Sequence, residues 1–327
     1  MKQTIATRAS YGEALKELGA KHDDVFVLDA DLSGATMTKG FKETYPDRFI
    51  DCGIAEANML GVAAGLSTTG LVPFASTFAI FAAGRGYEQI RNSIAYPHLN
   101  VKICATHAGI SVGEDGATHQ AIEDMALMRA IPGMVVLCPC DDQETRACIE
   151  AAYAYEGPVY VRLGRLPVDA VYANSVPFKI GKGNIVQEGK DVALIACGME
   201  VQEAVKAAQI LAVQGIRARV VNMPSIKPID RELILDCART CGKIVTIEEH
   251  SVVGGLGSAI CEIVSAAQPV PVCRIGVQDE FGQSGNGKDL IEAYGLDSLS
   301  IAYKVKQFLS PILDLQKVKS FQVFTQA

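Results

Sequence analysis

Short β-branched runs alternate with helix-length stretches along almost the whole chain, and this alternation limits the fold more than any other feature. Val25–Leu28, Val72–Ala75, Val101–Ala105, Met134–Cys138 and Val159–Arg162 read as strands, separated by helical patterns such as Tyr11–Leu18, Ala121–Ala130 and Asp142–Ala154. Strands joined through helices require crossover connections, which place the strands parallel and the helices on both faces. A second series starts near Asp191. It has strands at Val192–Cys197, Arg217–Asn222, Lys243–Glu248 and Val272–Ile275, and helices at Val201–Gln214, Arg231–Thr240 and Gly257–Ala267. The expected fold is therefore α/β, with two consecutive three-layer αβα domains, each with a mostly parallel sheet. Leu166 to Gly189 is rich in Pro, Gly and Asn and has no helical period. We expect a first domain over 1–170, a linker over 171–189, a second domain over 190–310 and a tail over 311–327.

A length of 327 residues with 49% apolar residues is enough for two cores. The net charge of -7 argues against a general nucleic-acid surface, which needs clustered Lys and Arg. Ten cysteines scattered through apolar segments suit a reduced compartment better than a disulfide scaffold. The Met-Lys-Gln-Thr start lacks a basic region followed by an apolar core, so we expect no secretory leader and a cytoplasmic protein. Residues 57–84 carry no charge, but Pro73, Ser67, Thr68, Thr69, Ser76 and Thr77 make the stretch a succession of buried elements rather than a membrane span.

Three stretches carry candidate chemistry. Glu56, in Gly53-Ile-Ala-Glu56, opens an apolar helix, and its carboxyl is expected among apolar neighbours with little competing charge. Phe78 and Phe81 lie three apart on what reads as a helix, so they share a face on which a flat heteroaromatic ring can stack. Taken singly, each is more often structural: a dipole-favoured glutamate at a helix start, and a core aromatic pair. The third stretch is Gly113-Glu-Asp-Gly-Ala-Thr-His-Gln120.

Joined in order with Arg8, Asp31, His107 and Arg165, these motifs make the chain resemble the transketolases, and the resemblance extends through Glu248-Glu-His250 and Gly254-Gly-Leu-Gly257 to the family's C-terminal domain. It implies a subunit of a split, thiamine-diphosphate-dependent transketolase that passes a two-carbon ketol unit from a ketose phosphate to an aldose phosphate. In such an enzyme Glu56 would hold the pyrimidine nitrogen, so that the coenzyme's own amino group can take the proton from the thiazolium carbon. Phe78 and Phe81 would hold the ring, with Asp31 and Leu32 close by. Asp115 and His119 would bind donor hydroxyls and move protons, while Arg8, His107 and Arg165 would bind the substrate phosphate.

Two positions depart from the family pattern. Ala35 stands where a phosphate-binding serine is usual, with Thr36 the neighbouring hydroxyl that could replace it, and Gly84 stands where many members have a third aromatic. The family's Gly-Asp-Gly metal motif is absent. The resemblance therefore implies no metal site in this chain, and a separate N-terminal subunit holding the diphosphate through Mg2+ or Ca2+. The active assembly would be a heterotetramer in which this chain also meets a second copy of itself. Three other readings remain open. One is a 1-deoxyxylulose-5-phosphate synthase or 2-oxo acid dehydrogenase β chain. Another is a serine hydrolase built on Gly109-Ile-Ser-Val-Gly113. The third is a regulatory subunit that kept the fold without the chemistry. The residues do not select the ketose donor.

Overall fold

The computed structural model describes residues 4–174 and 178–310. The expected tail over 311–327 lies outside the described residues. The first series comprises β1 (Ile5–Ala6), β2 (Val25–Asp29), β3 (Phe49–Asp51), β4 (Val72–Phe78), β5 (Lys102–Thr106), β6 (Val135–Leu137), β7 (Val159–Arg162) and β8 (Pro167–Val168). The second comprises β9 (Asn184–Gln187), β10 (Val192–Ala196), β11 (Ala218–Asn222), β12 (Ser225–Lys227), β13 (Ile244–Ser251) and β14 (Val272–Val277).

One sheet has the order β12-β6-β7-β5-β4-β2-β3, the other β14-β13-β10-β11-β9, and β1 pairs only with β8. Both large sheets are parallel except at one edge, where β12 pairs antiparallel with β6 and β9 antiparallel with β11. The expected α/β architecture is present. The stretch read as a linker contains β9, and β12 leaves the second series to complete the first sheet.

Every residue of β4 and β5 is buried, as helices on both faces require. On one face, Tyr11, Leu15 and Leu18 of the helix Thr7–Lys21 pack with Val25, Phe41 and Phe74. On the other, a single apolar cluster runs from Leu28, Met59 and Ile103 into Ile195, Val221, Ile234 and Leu256 of the second series. The two sheets thus share a core, and the loops of one press against those of the other.

Two expected boundaries moved for physical reasons. Phe78 ends β4 rather than lying on a helix, and Phe81 begins a π-helical turn, Phe81–Arg85, closed by the Gly86 N–H donating to the Phe81 carbonyl at 3.2 Å. The helix expected from Ala121 starts at Asp124, because Ala121 and Ile122 give their carbonyls to Gly109 and Ser251 instead of to a helix.

Candidate active site at the carboxyl ends of the first sheet

In a parallel sheet the strand ends that carry ligands lie on one side. Asp29 closes β2, Phe78 closes β4 and Thr106 closes β5, so the residues that follow them gather at one edge. Asp31 and Leu32 follow β2, Glu56 follows β3, Phe81 follows β4, His107 follows β5 and Arg165 follows β7. Arg8 reaches the same edge from the first turn of its helix. Asp31 and His107 adopt left-handed backbone conformations, φ 61° and 58°, which non-glycine residues seldom hold and which concentrate at functional sites.

Phe78 and Phe81 are parallel, with centroids 5.7 Å apart and 14° between their planes. Their expected common surface exists, although a strand end and a π turn create it instead of one helix face. His107 stacks on Phe78 at 3.9 Å, and His119 stands edge-on to Phe81 at 5.3 Å. His119 is thereby joined to the aromatic pair, and its Nδ1 shares a hydrogen bond of 2.9 Å with the Thr118 hydroxyl. Asp115, on the same loop, is exposed.

Glu56 begins the helix Glu56–Ser67 and is 5% exposed. Its surroundings are not free of charge as expected. Arg85 donates from Nη1 to Glu56 Oε1 at 2.9 Å, and its guanidinium carbon lies 4.1 Å from the Phe81 centroid. The π turn brings this about by carrying Arg85 back over the ring four residues before it. Arg85 belongs to none of the motifs legible in the sequence. The available signal was that it is the first charge after the uncharged run, four residues beyond an aromatic.

Asp29 carries no such signal, and it organises the next loop. Its carboxylate accepts from the Leu32 N–H at 2.5 Å, the Thr36 hydroxyl at 2.7 Å and the Thr38 hydroxyl at 2.9 Å. Burial outweighs these bonds and pushes its pKa up to about 6. Thr36 is therefore committed to Asp29 and fully buried, so it does not replace the missing serine hydroxyl. The Ala35 carbonyl accepts from Arg8 Nη1 at 2.7 Å.

Arg8 and Arg165 both lie close enough to His107 to act on its ring. Burial, then Arg8 and Arg165, hold the His107 pKa down to about 3, so the ring is neutral near pH 7 and contributes hydrogen bonding rather than charge. Its Nδ1 lies 2.9 Å from the Thr106 hydroxyl. Burial and then Arg165 lower the pKa of Arg8. Arg165 donates to Glu114 Oε2 at 2.8 Å and to the Val112 carbonyl. Two guanidinium groups beside a neutral imidazole suit an anion better than a neutral ligand.

Residues 3–169 match the transketolase pyrimidine-binding domain, and residues 181–301 match the transketolase C-terminal domain. The chain is 50% identical over 303 residues to a protein of Methanocaldococcus jannaschii named as a transketolase C-terminal section, with 92% of this chain and 95% of that one covered. The chain belongs to the transketolase family. It is the C-terminal section of a split transketolase and thus one subunit of a transferase. Against the human transketolase, 38% identical over 310 residues, it covers 94% of itself and 49% of that protein. A solved split-gene transketolase, described as an inactive β4 tetramer, has 51% identity and a TM-score of 0.86, with 94% of this chain and 99% of that chain covered.

The hydrolase reading loses its nucleophile in this transketolase section. Ser111 is 1% exposed, its hydroxyl makes no hydrogen bond among the described residues, and only one 3-10 turn, Ile110–Val112, surrounds it. At the Gly254–Gly257 turn, the Leu256 and Gly257 N–H groups donate to Glu248 at 2.7 and 2.8 Å and fix the start of the following helix. Among the described residues no cluster of His, Cys, Asp and Glu could hold a metal, and no helix is long and apolar enough to cross a membrane.

Proposed function

We propose that this chain supplies the pyrimidine side and the substrate channel of a thiamine-diphosphate transketolase completed by a separate N-terminal subunit. The observation that carries the proposal is a nearly buried carboxyl, Glu56, linked through Arg85 to the Phe81 ring, which lies parallel to Phe78 with His119 edge-on to both. A flat, partly polar heterocycle fits this donor set, because the rings offer a stacking surface and the carboxyl offers a proton-sharing oxygen at its edge. Thiamine diphosphate, when bound, supplies a carbon nucleophile for addition to a ketose carbonyl.

Each residue then has a task. Glu56 holds a proton between its carboxyl and a ring nitrogen. Phe78 and Phe81 fix the ring plane, and Asp31 and Leu32 line the approach. His119 and Asp115 face the donor hydroxyls and move protons at the reacting carbon end. Arg8 and Arg165 bind the substrate phosphate through charge, with His107 beside them as a neutral hydrogen-bonding wall. The partner would hold the diphosphate through Mg2+ or Ca2+, in a cytoplasmic assembly with two copies of each subunit.

Co-expression with the partner subunit tests this reading. The complex should bind thiamine diphosphate and transfer ketol units between sugar phosphates, whereas the lone chain should do neither. Glu56→Gln in the complex should lower kcat by about two to four orders of magnitude, the range for loss of a proton-transfer group. Turnover by the lone chain, or an unchanged rate with Glu56→Gln, would refute the proposal. Carbon dioxide release from pyruvate would point to the synthase.

A further inference from the structure

We infer that the second domain is a positioning element for the loop carrying Asp115 and His119, and that Gln120 is the residue through which it acts. This rests on the roles proposed above for Asp115 and His119.

The loop has an exposed tip and buried feet. Glu114, Asp115 and Thr118 are exposed, whereas Ser111 and Gln120 are 1% and 2% exposed. Each foot is held by the second domain. The Ser111 N–H donates to Glu249 Oε1 at 2.6 Å, and the Ser251 N–H donates to the Ile122 carbonyl at 2.7 Å. Between them, Gln120 Nε2 donates both to the Ile110 carbonyl and to the Gln283 carbonyl, each at 3.0 Å. One side-chain amide thus closes the base of the loop and fastens it to the segment that follows β14.

The tip lies against the same segment. A Cβ on Gly116 would fall 2.4 Å from Ser284 Oγ, and one on Gly113 would fall 3.2 Å from the Gly285 carbonyl oxygen. Both glycines have positive φ, 73° and 88°. The loop backbone is therefore pressed against the second domain in a conformation that other residues adopt only under strain. Exposed catalytic side chains need such fixation, because a displacement of about 1 Å can cost about a hundredfold in rate.

Two variants test this in the assembled enzyme. Gln120→Leu removes both donated bonds at similar volume. Gly282→Ala leaves Gln120 in place but sets a methyl 1.9 Å from its Oε1, which displaces the amide from the side of the second domain. Each should lower kcat/KM for the ketose by about ten- to a hundredfold, with thiamine diphosphate affinity within about twofold of wild type. The effect of Gln120→Leu should vanish in a His119→Ala background, since residues that act through one another are not additive. Leu18→Ala, fully buried in the first domain on the helix Thr7–Lys21, is the comparison: it should lower Tm with kcat/KM unchanged. Additive effects of Gln120→Leu and His119→Ala overturn the inference, as do losses no larger than that of Leu18→Ala at equal folded fraction. If Gln120→Leu does not fold, Gly282→Ala decides through the same additivity with His119→Ala. Wild-type turnover by His119→Ala alone would overturn the proposed role of that histidine and this inference with it.

Discussion

Arg85 Nη1 lies 2.9 Å from Glu56 Oε1, while its guanidinium carbon stands 4.1 Å from the centre of the Phe81 ring. One side chain thus covers both the carboxyl and the ring face assigned to the coenzyme. The Arg85 side chain is 54% exposed against 5% for Glu56, so the arginine is the partner free to leave.

Removing Arg85 should therefore favour the coenzyme. An ion pair open to solvent on its arginine side contributes about 1 kcal/mol and an exposed cation–π contact ~0.5–1 kcal/mol, part of which the coenzyme's own contacts replace, so Arg85→Gln should tighten thiamine diphosphate binding in the complex about three- to tenfold. Calorimetric titration measures this directly. Unchanged or weaker affinity would show that Arg85 supports the carboxyl rather than occupying it.

Phe81 is half-buried and touches Phe78, His119 and Arg85. Phe81→Ala should weaken thiamine diphosphate binding about ten-fold, an aromatic stacking contribution of up to ~1.5 kcal/mol, with little change in Tm. A large fall in Tm with unchanged affinity would make Phe81 a packing residue only.

Stability should decline from weakly acid to neutral pH. Burial raises the folded-state pKa of Glu144 and of Glu248 to about 7, and that of Asp29 to about 6. A carboxyl with a raised folded pKa stabilises the fold most below its unfolded value, and this contribution is lost as pH rises through the folded value. The window is therefore about pH 4 to 7, with up to ~3 kcal/mol at stake for one such glutamate. His107 and His250, held down to about 3 and about 4, act in the opposite sense as pH falls below the ordinary histidine value, but the three carboxyls outweigh the two imidazoles, so Tm should be higher at pH 5.5 than at pH 7.5, and Glu144→Gln should shrink that difference. A difference between the two pH values that Glu144→Gln leaves unchanged would contradict a buried, raised Glu144.

Arg162 joins the two domains. It bonds Asp124 through Nε at 2.9 Å and, through Nη2, the Ala121 and Glu249 carbonyls at 3.1 and 2.9 Å. Arg162→Met leaves Asp124 as a fully buried carboxylate with no cation, so unfolding free energy should fall by ~3–5 kcal/mol. Urea denaturation checks this, and a loss below ~1 kcal/mol would show that the Tyr160 hydroxyl, 2.9 Å from Asp124, suffices.

The sequence carried the strands and crossovers because β-branched runs and helical periods are local signals. Glu56 and the Glu114–Gln120 loop stood out as motifs for the same reason. Asp29 did not, since its function in holding Leu32, Thr36 and Thr38 depends on a burial that a strand-end aspartate does not announce. Phe78 and Phe81 were placed together correctly but on the wrong element, because a spacing of three fits a helix and also fits a strand end followed by a π turn.

By itself the sequence determined the α/β alternation, the order of the motifs from Arg8 to Arg165 and the absence of a Gly-Asp-Gly metal motif. Only the tertiary structure decided that Arg85 covers Glu56, that β12 crosses into the first sheet, and that Gln120 is fastened to Gln283, 163 residues away. Local propensity acts over a few residues. Contacts between distant segments are chosen by which surfaces the shared core brings together, and no short stretch of sequence contains that choice.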